Sequence, residues 1–259
     1  MMYCMGRVGY CTLALGGGIL SPFRGPAIGD RPCRDWDNAV TTWARGERPK
    51  VLLTRSTTRS RSLDAAQSYA IGLGWSVVPG CDQGRRGRRC GRTDCLSAAP
   101  HPASEHVHLA ATRDENTIRR WWRHGPHAPV LLPTGQNFDV LDIPAAAADE
   151  AMARVKLTGY RLGPVATTIG GRLLIWVRTG ARLITEITDR RPWPYTALGL
   201  HCRSAGEYVL APPSVGTSWL IPPVEFGQPT LPHCADILPA VAQACSAVLA
   251  PSVGIQQPH

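Results

Sequence analysis

The chain has 259 residues, of which 44% are hydrophobic and 18% are charged. This length allows one substantial domain or one domain with tails, and the composition excludes a wholly disordered protein. The formal net charge of +9 favours an anionic partner such as nucleic acid. Arginine supplies nearly all of the positive charge, a bias that high-GC codon usage also produces.

The nine cysteines are scattered, unlike the dense framework of a small secreted domain. No apolar run reaches the length of a membrane-spanning helix. We therefore expect a cytoplasmic protein that does not associate with a membrane.

The first part of the chain shows neither helical nor strand periodicity. Glycine, proline and arginine interrupt it, and it ends in the polar segment TRSTTRSRS. We predict that residues 1–61 are a disordered tail or a wrongly assigned start. A domain is predicted over residues 62–249, followed by a tail over residues 250–259.

Helical spacing of apolar residues begins at Ser62, which is predicted to cap a helix closed by Gly72 and Gly74. A short buried strand is expected over residues 75–80. A loop rich in cysteine and arginine follows. The capping-box pattern Thr112–Glu115 then predicts a second helix, which contains adjacent tryptophans of which at least one is expected in the core.

The remaining pattern mixes helices with hairpin-type strands, which indicates an α+β domain with a mixed or antiparallel sheet flanked by helices. The predicted strands are 129–135, 138–143, 165–168 and 172–177 around a Gly-Gly turn, and 206–214. The predicted helices are 145–157 and a C-terminal helix over 237–248.

Taken in order, these segments resemble the N-terminal domain of bifunctional DNA primase/polymerases (Prim-Pol), in the archaeo-eukaryotic primase superfamily. The resemblance spans about Leu63 to Pro213. It is carried by AAQSYAIGLGWSVVPG, IRRWWRHGPHAPVLLPTGQNFDVLDI, GPVATTIGGRLLIWV and AGEYVLAPPS. It implies a nucleotidyltransferase whose two divalent metal ions, Mg²⁺ or Mn²⁺, bridge nucleotide phosphates, and hence DNA or a nucleotide as partner.

The resemblance also implies a D-x-D motif whose carboxylates share one face of a strand. Here Asp142 matches the first carboxylate, but Pro144 stands at the second position and has no side-chain ligand atom. The resemblance therefore implies a remnant of a metal site at this strand.

Two further motif positions are also changed. The nucleotide-binding turn Gly170-Gly171-Arg172 is present, but Leu173 occupies the place of the family's histidine. The third acidic position is counted as His201, which suits Mg²⁺ poorly because that ion prefers oxygen ligands. We predict that catalysis is impaired.

The alternative is an active enzyme with a displaced metal site. In that case Asp142 acts with Asp139, Asp149 or Glu150, and His201 assists. Asp139 lies three residues before Asp142, so the two are expected on opposite faces of the strand, with Asp139 facing solvent or capping a turn. A third possibility is a regulatory protein-interaction module that binds no nucleic acid.

A zinc-binding insert is predicted over residues 80–109. Cys90, Cys95 and His101 are spaced compactly and offer the sulfur and nitrogen ligands that Zn²⁺ prefers. Cys81 is the preferred fourth ligand of this structural site, with His106 and His108 as alternatives.

The same insert carries a cluster of basic residues that could follow a phosphate backbone, although a solvated loop is an equal explanation. These residues are Arg85, Arg86, Arg88, Arg89 and Arg92.

Overall fold

The structure is a computed structural model. It describes residues 58–81, 100–102, 110–188, 194–223 and 230–249. The helices in these segments are α1 (Thr58–Gln67), α2 (Glu115–His124), α3 (Ala148–Leu157), α4 (Ala181–Thr188) and α5 (Cys234–Leu249). The strands are β1 (Val78–Pro79), β2 (Val130–Pro133), β3 (Asp139–Pro144), β4 (Val165–Thr168), β5 (Arg172–Val177), β6 (His201–Arg203), β7 (Tyr208–Ala211) and β8 (Thr217–Ile221).

The strands form two antiparallel sheets, one ordered β1-β2-β7 and the other β6-β3-β5-β4-β8. Helices flank these sheets, so the predicted α+β class is confirmed. No helix in the described segments combines the length and apolar character needed to cross a membrane.

The turn after β2 carries the chain from one sheet to the other. Gly135 lies in this turn with φ of +91°, and a Cβ there would come within 2.4 Å of the Ala205 backbone. Only glycine fits this close approach without displacing the neighbouring turn. The two predicted strands around this turn are both present, but each pairs with distant parts of the chain.

An aromatic cluster forms the core between the two sheets and helices α1 and α2. Trp75, Trp176 and Phe138 are almost fully buried, and the Trp75–Phe138 ring centroids are 4.7 Å apart. Trp219 packs against Trp176 at 4.7 Å. On α2, Trp122 is buried and Trp121 half-buried, which confirms the prediction that at least one of them is a core residue.

Two predicted helix starts were wrong. Helix α1 begins at Thr58, so Ser62 lies inside it, where it is 7% exposed, and does not cap it. At α2 the cap is Asp114, whose carboxylate accepts the Thr117 N–H at 2.8 Å. In the predicted capping box, the Thr112 hydroxyl would accept the N–H of Glu115. It accepts the N–H of Asp114 instead, and Asp114 is the residue that caps the helix.

Three elements escaped prediction: α4, β6 and β8. Helix α4 buries Ala181 and Thr185 while Leu183 and Ile187 are exposed, so its apolar pattern is opposite to its buried face. Strand β6 has only three residues, too few for a detectable alternation.

Candidate functional site

One face of the five-stranded sheet brings together the residues of the D-x-D strand and its neighbours. Asp142 on β3 pairs directly with His201 on β6, and Pro144 pairs with Arg172 on β5. Arg203 pairs with Val140, two residues from Asp142. Because directly paired residues and residues two apart share a face, these five side chains lie on the same side of the sheet.

Asp142 is held by two guanidinium groups. Its side chain is 5% exposed, and its Oδ1 accepts the Arg172 Nε–H at 2.6 Å. Its Oδ2 accepts from Arg203 Nε at 3.1 Å and from Arg203 Nη2 at 2.9 Å. Both carboxylate oxygens are therefore engaged by charge-assisted hydrogen bonds.

Arg172 also fixes the surrounding backbone. Its Nη2 donates to the carbonyl oxygens of Asp142 at 2.9 Å and Gly199 at 2.6 Å. Its Nη1 makes no hydrogen bond within the described part of the chain, and 29% of the side chain remains exposed. Arg172 thus stabilises the backbone around it and is at the same time a cation accessible to water.

The charged cluster extends from Arg203, which is 42% exposed, to Glu207 and Arg182. Arg203 Nη1 lies 3.5 Å from Glu207 Oε1, and Glu207 Oε2 accepts from Arg182. The Ser204 N–H also donates to Glu207 Oε2, at 3.1 Å. We call Asp142, Arg172, Arg182, Arg203 and Glu207 the arginine–carboxylate cluster. Its three guanidinium groups and two carboxylates leave one net positive charge.

The structure does not bring Leu173 to this face. Leu173 is fully buried and pairs with Ile143, so its side chain lies on the opposite side of the sheet from Asp142. His201 does lie beside Asp142 and is exposed. The four motif positions therefore do not all converge: Asp142, Pro144 and His201 share a face, and Leu173 is buried on the opposite face.

Asp139 is on the opposite face, as the spacing predicts, but it is fully buried and does not face solvent. Its Oδ2 accepts the N–H of Ala181, the first residue of α4, at 2.8 Å, so it caps that helix. Its Oδ1 has no partner in the described segments. Burial, followed by the charge of Asp139, raises the pKa of Cys202 and of Cys234 to about 12.

The Gly-Gly turn between β4 and β5 is present as predicted. Gly170 and Gly171 are exposed, and Gly171 adopts φ of +70° while donating its N–H to the Thr168 carbonyl at 3.1 Å. This turn positions Arg172 as the first residue of β5, opposite Pro144.

The two ends of the predicted zinc insert lie together. The Cys81 N–H donates to the His101 carbonyl at 2.7 Å, and Gly80 pairs with Pro102. Cys81 is 2% exposed. Among residues with a described position, no three His, Cys, Asp or Glu side chains are grouped to hold a metal ion.

The remaining predicted residues of the insert fall outside the described segments. They are the zinc ligands Cys90 and Cys95, the alternatives His106 and His108, and the basic residues Arg85, Arg86, Arg88, Arg89 and Arg92.

A cavity of about 330 Å³ lies at the opposite edge of the sheet, where Trp219 on β8, Tyr69 and the Pro212–Pro213 turn line it. Strands β8 and β6 stand at opposite ends of the strand order of this sheet, and the residues that line the cavity do not include any member of the arginine–carboxylate cluster. Trp219 Nε1 donates to the Tyr69 hydroxyl at 3.0 Å, and that hydroxyl donates to the Pro212 carbonyl. The cavity is therefore separate from the arginine–carboxylate cluster.

The sequence did not reveal three residues of the cluster, Arg182, Glu207 and Arg203, and of these Arg203 contacts Asp142 directly. It lies two residues after His201, so recognising β6 as a strand would have placed both side chains on the face of Asp142. Three residues are too short a signal for that assignment.

A family model described as bifunctional DNA primase/polymerase, N-terminal, matches residues 66–230, which is more than half of the chain. The match covers the strand of Asp142, the Gly-Gly turn and the strand of His201 and Arg203. A search among curated proteins gave no significant match. The extent of the family match places this chain in the bifunctional DNA primase/polymerase N-terminal domain family.

Proposed function

We propose that this protein binds nucleic acid through its primase/polymerase-like domain without catalysing nucleotidyl transfer. The observation that carries the proposal is the state of Asp142, whose two oxygens are both occupied by arginine side chains. A carboxylate that coordinates Mg²⁺ must instead direct an oxygen to the ion at about 2.0–2.1 Å.

The donor set around Asp142 does not fit a pair of divalent ions. Pro144, at the second D-x-D position, offers no side-chain oxygen, and His201 offers nitrogen, which Mg²⁺ disfavours. The nearest cations are guanidinium groups, which repel an incoming metal ion. Nucleotidyl transfer by two metal ions is therefore unsupported at this face.

An active enzyme with a displaced site needs further carboxylates near Asp142. Asp139 lies across the sheet and is used to cap α4. Glu150 is paired with Arg154 at 2.6 Å, and Asp149 is exposed in the first turn of α3. These placements favour the non-catalytic proposal over the displaced-site alternative.

Template-dependent primer extension tests the loss of catalysis. We expect no incorporation above the no-protein background with either Mg²⁺ or Mn²⁺, for the wild type and for Asp142→Ala alike. An active polymerase run in parallel establishes that substrate and buffer support synthesis. Incorporation by the wild type that disappears in Asp142→Ala contradicts the proposal and supports the displaced metal site.

Nucleic acid is the preferred partner because the chain carries a formal charge of +9 and the arginine–carboxylate cluster is net positive. A regulatory module that binds only protein is the alternative. The two proposals differ in their predicted binding to DNA: a nucleic-acid-binding protein binds DNA in a salt-dependent way, whereas a module that binds only protein does not.

We also propose that the insert holds a structural zinc ion through Cys81, Cys90, Cys95 and His101. The proposal is supported by the contact between the backbones of Cys81 and His101, which join the two ends of the insert. Two ligands at the base of a loop and two within it are a compact arrangement for tetrahedral coordination.

Elemental analysis of the purified chain tests this site. We expect about one zinc per chain, lost in Cys90→Ser and in Cys95→Ser because thiolate ligands supply much of the affinity. Cys245→Ser is the matched control, since Cys245 is buried in α5 outside the insert, and it should retain the metal. Protein that purifies without metal under reducing conditions, or serine variants that keep it, would contradict the zinc site.

A further inference from the structure

We infer that the arginine–carboxylate cluster is a metal-independent binding site for a phosphodiester of single-stranded nucleic acid, with Asp142 acting as an internal competitor. This inference rests on the proposed function and names the place and chemistry of binding. Guanidinium groups bind phosphate oxygens with the same paired donors that they offer to a carboxylate. Asp142 thus occupies the donors that a phosphate would use.

The charge of the cluster matches one class of ligand. Three guanidinium groups and two carboxylates leave a net charge of +1, which one phosphodiester neutralises. A terminal phosphate or a triphosphate carries more negative charge than the cluster offsets while Asp142 remains ionised. The cluster therefore favours an internal backbone phosphate over a free nucleotide.

The accessibility of the donors supports the same conclusion. The Arg203 side chain is 42% exposed, and its only partners in the described segments are carboxylates, so it can exchange them for another anion without disrupting the backbone. Within the described segments, Nη1 of Arg172 makes no hydrogen bond, while the same side chain holds the carbonyl groups of Asp142 and Gly199. Arg203 is accordingly the mobile contact and Arg172 the fixed one.

The position of Arg203 at the edge of the sheet gives a nucleic-acid strand access to it. Among the described strands β6 is the last of its sheet, and His201 is exposed on the same face as Arg203. An extended nucleic-acid strand can approach this edge without entering the protein core. No divalent ion is needed, because the guanidinium groups themselves supply the positive charge.

The test is fluorescence anisotropy of a fluorescein-labelled 12-nucleotide oligo-dT, titrated in EDTA at several salt concentrations. For the wild type we expect binding that weakens steeply with salt. Asp142→Asn is expected to bind about fivefold more tightly, because it removes a negative charge about 4 Å from the phosphate site. A metal-binding carboxylate predicts the opposite sign, since its removal weakens binding.

Arg203→Gln is expected to weaken binding and to reduce the salt slope by about 0.7, the value for one contact to a single strand. Arg119→Gln is the matched control, because it removes the same charge from an exposed ion pair on α2 and should leave the slope unchanged. Circular dichroism confirms that each variant is folded. If Asp142→Asn does not fold, the comparison of Arg203→Gln with Arg119→Gln still decides the question.

Three outcomes overturn the inference. They are weaker binding by Asp142→Asn, a requirement for Mg²⁺, and equal effects of Arg203→Gln and Arg119→Gln. If DNA binding is instead lost only when Arg85, Arg86, Arg88 and Arg89 are all changed to Gln, the insert binds DNA; the proposed function survives and this inference fails. Primer extension by the wild type overturns the proposed loss of catalysis separately, and absence of all DNA binding overturns both proposals.

Discussion

Replacing Arg172 with methionine is expected to lower the free energy of unfolding by about 3 kcal/mol. The variant leaves the carboxylate of Asp142, which is 5% exposed, with Arg203 as its remaining partner. It also removes the hydrogen bonds to the carbonyl groups of Asp142 and Gly199. Methionine keeps most of the side-chain length, so loss of packing contributes little to the difference. Urea denaturation of wild type and variant measures the change.

Arg119→Met is the control for Arg172→Met. Arg119 pairs with Glu115 at 2.6 Å, but both side chains are about half exposed, so its loss is expected to cost less than about 1 kcal/mol. A similar small cost for Arg172→Met would mean that water, and not Arg172, stabilises the charge of Asp142.

The second large effect is expected at Trp176. Trp176→Ala should lower the free energy of unfolding by about 3–5 kcal/mol, because it opens a cavity at the centre of the aromatic cluster. Trp176 is fully buried and contacts Trp75, Phe138 and Trp219. Thermal and urea unfolding, followed by circular dichroism, provide the measurement.

Trp176→Phe separates ring packing from the indole nitrogen. Trp176 Nε1 has no hydrogen-bond partner in the described segments, so its removal carries no lost bond. Phenylalanine retains an aromatic ring, and we expect a cost below about 2 kcal/mol. If alanine and phenylalanine destabilise equally, the aromatic contacts are not what stabilises this core.

The two stability predictions concern two positions on the same face of one strand. Trp176 and Arg172 both lie on β5, four residues apart and on the same face, so the aromatic core and the charged cluster are parts of one continuous surface. The core fixes the strand, and the strand positions Arg172 opposite Pro144. A loss of packing at Trp176 should therefore also weaken the ion pair between Arg172 and Asp142.

On the proposed function, the cluster around Asp142 supplies positive charge without metal chemistry. A divalent ion can lower the pKa of a bound hydroxyl and coordinate both attacking and leaving oxygens. A guanidinium group can neutralise phosphate charge but offers no coordination site. The proposed function therefore assigns the arginine contacts of Asp142 to binding and not to nucleotidyl transfer.

The amino-acid sequence by itself determined the family and most of the regular structure. Strands β3, β4, β5 and β7 were predictable because apolar runs and glycine turns specify them locally. The lack of a metal ligand at Pro144 was equally predictable, since proline has no side-chain oxygen in any structure. The opposite orientations of Asp139 and Asp142 followed from strand alternation.

Only the tertiary structure decided how these residues are used. The ion pairs of Asp142 with Arg172 and Arg203 join positions 30 and 61 residues apart, and sequence periodicity carries no information about such contacts. Strand register placed Leu173 in the core, away from the face of Asp142. The role of Asp139 as a buried helix cap could not be predicted, because it depends on contact with the N–H of Ala181, 42 residues further along the chain. Local preferences specify elements, but long-range pairing assigns each side chain its neighbours.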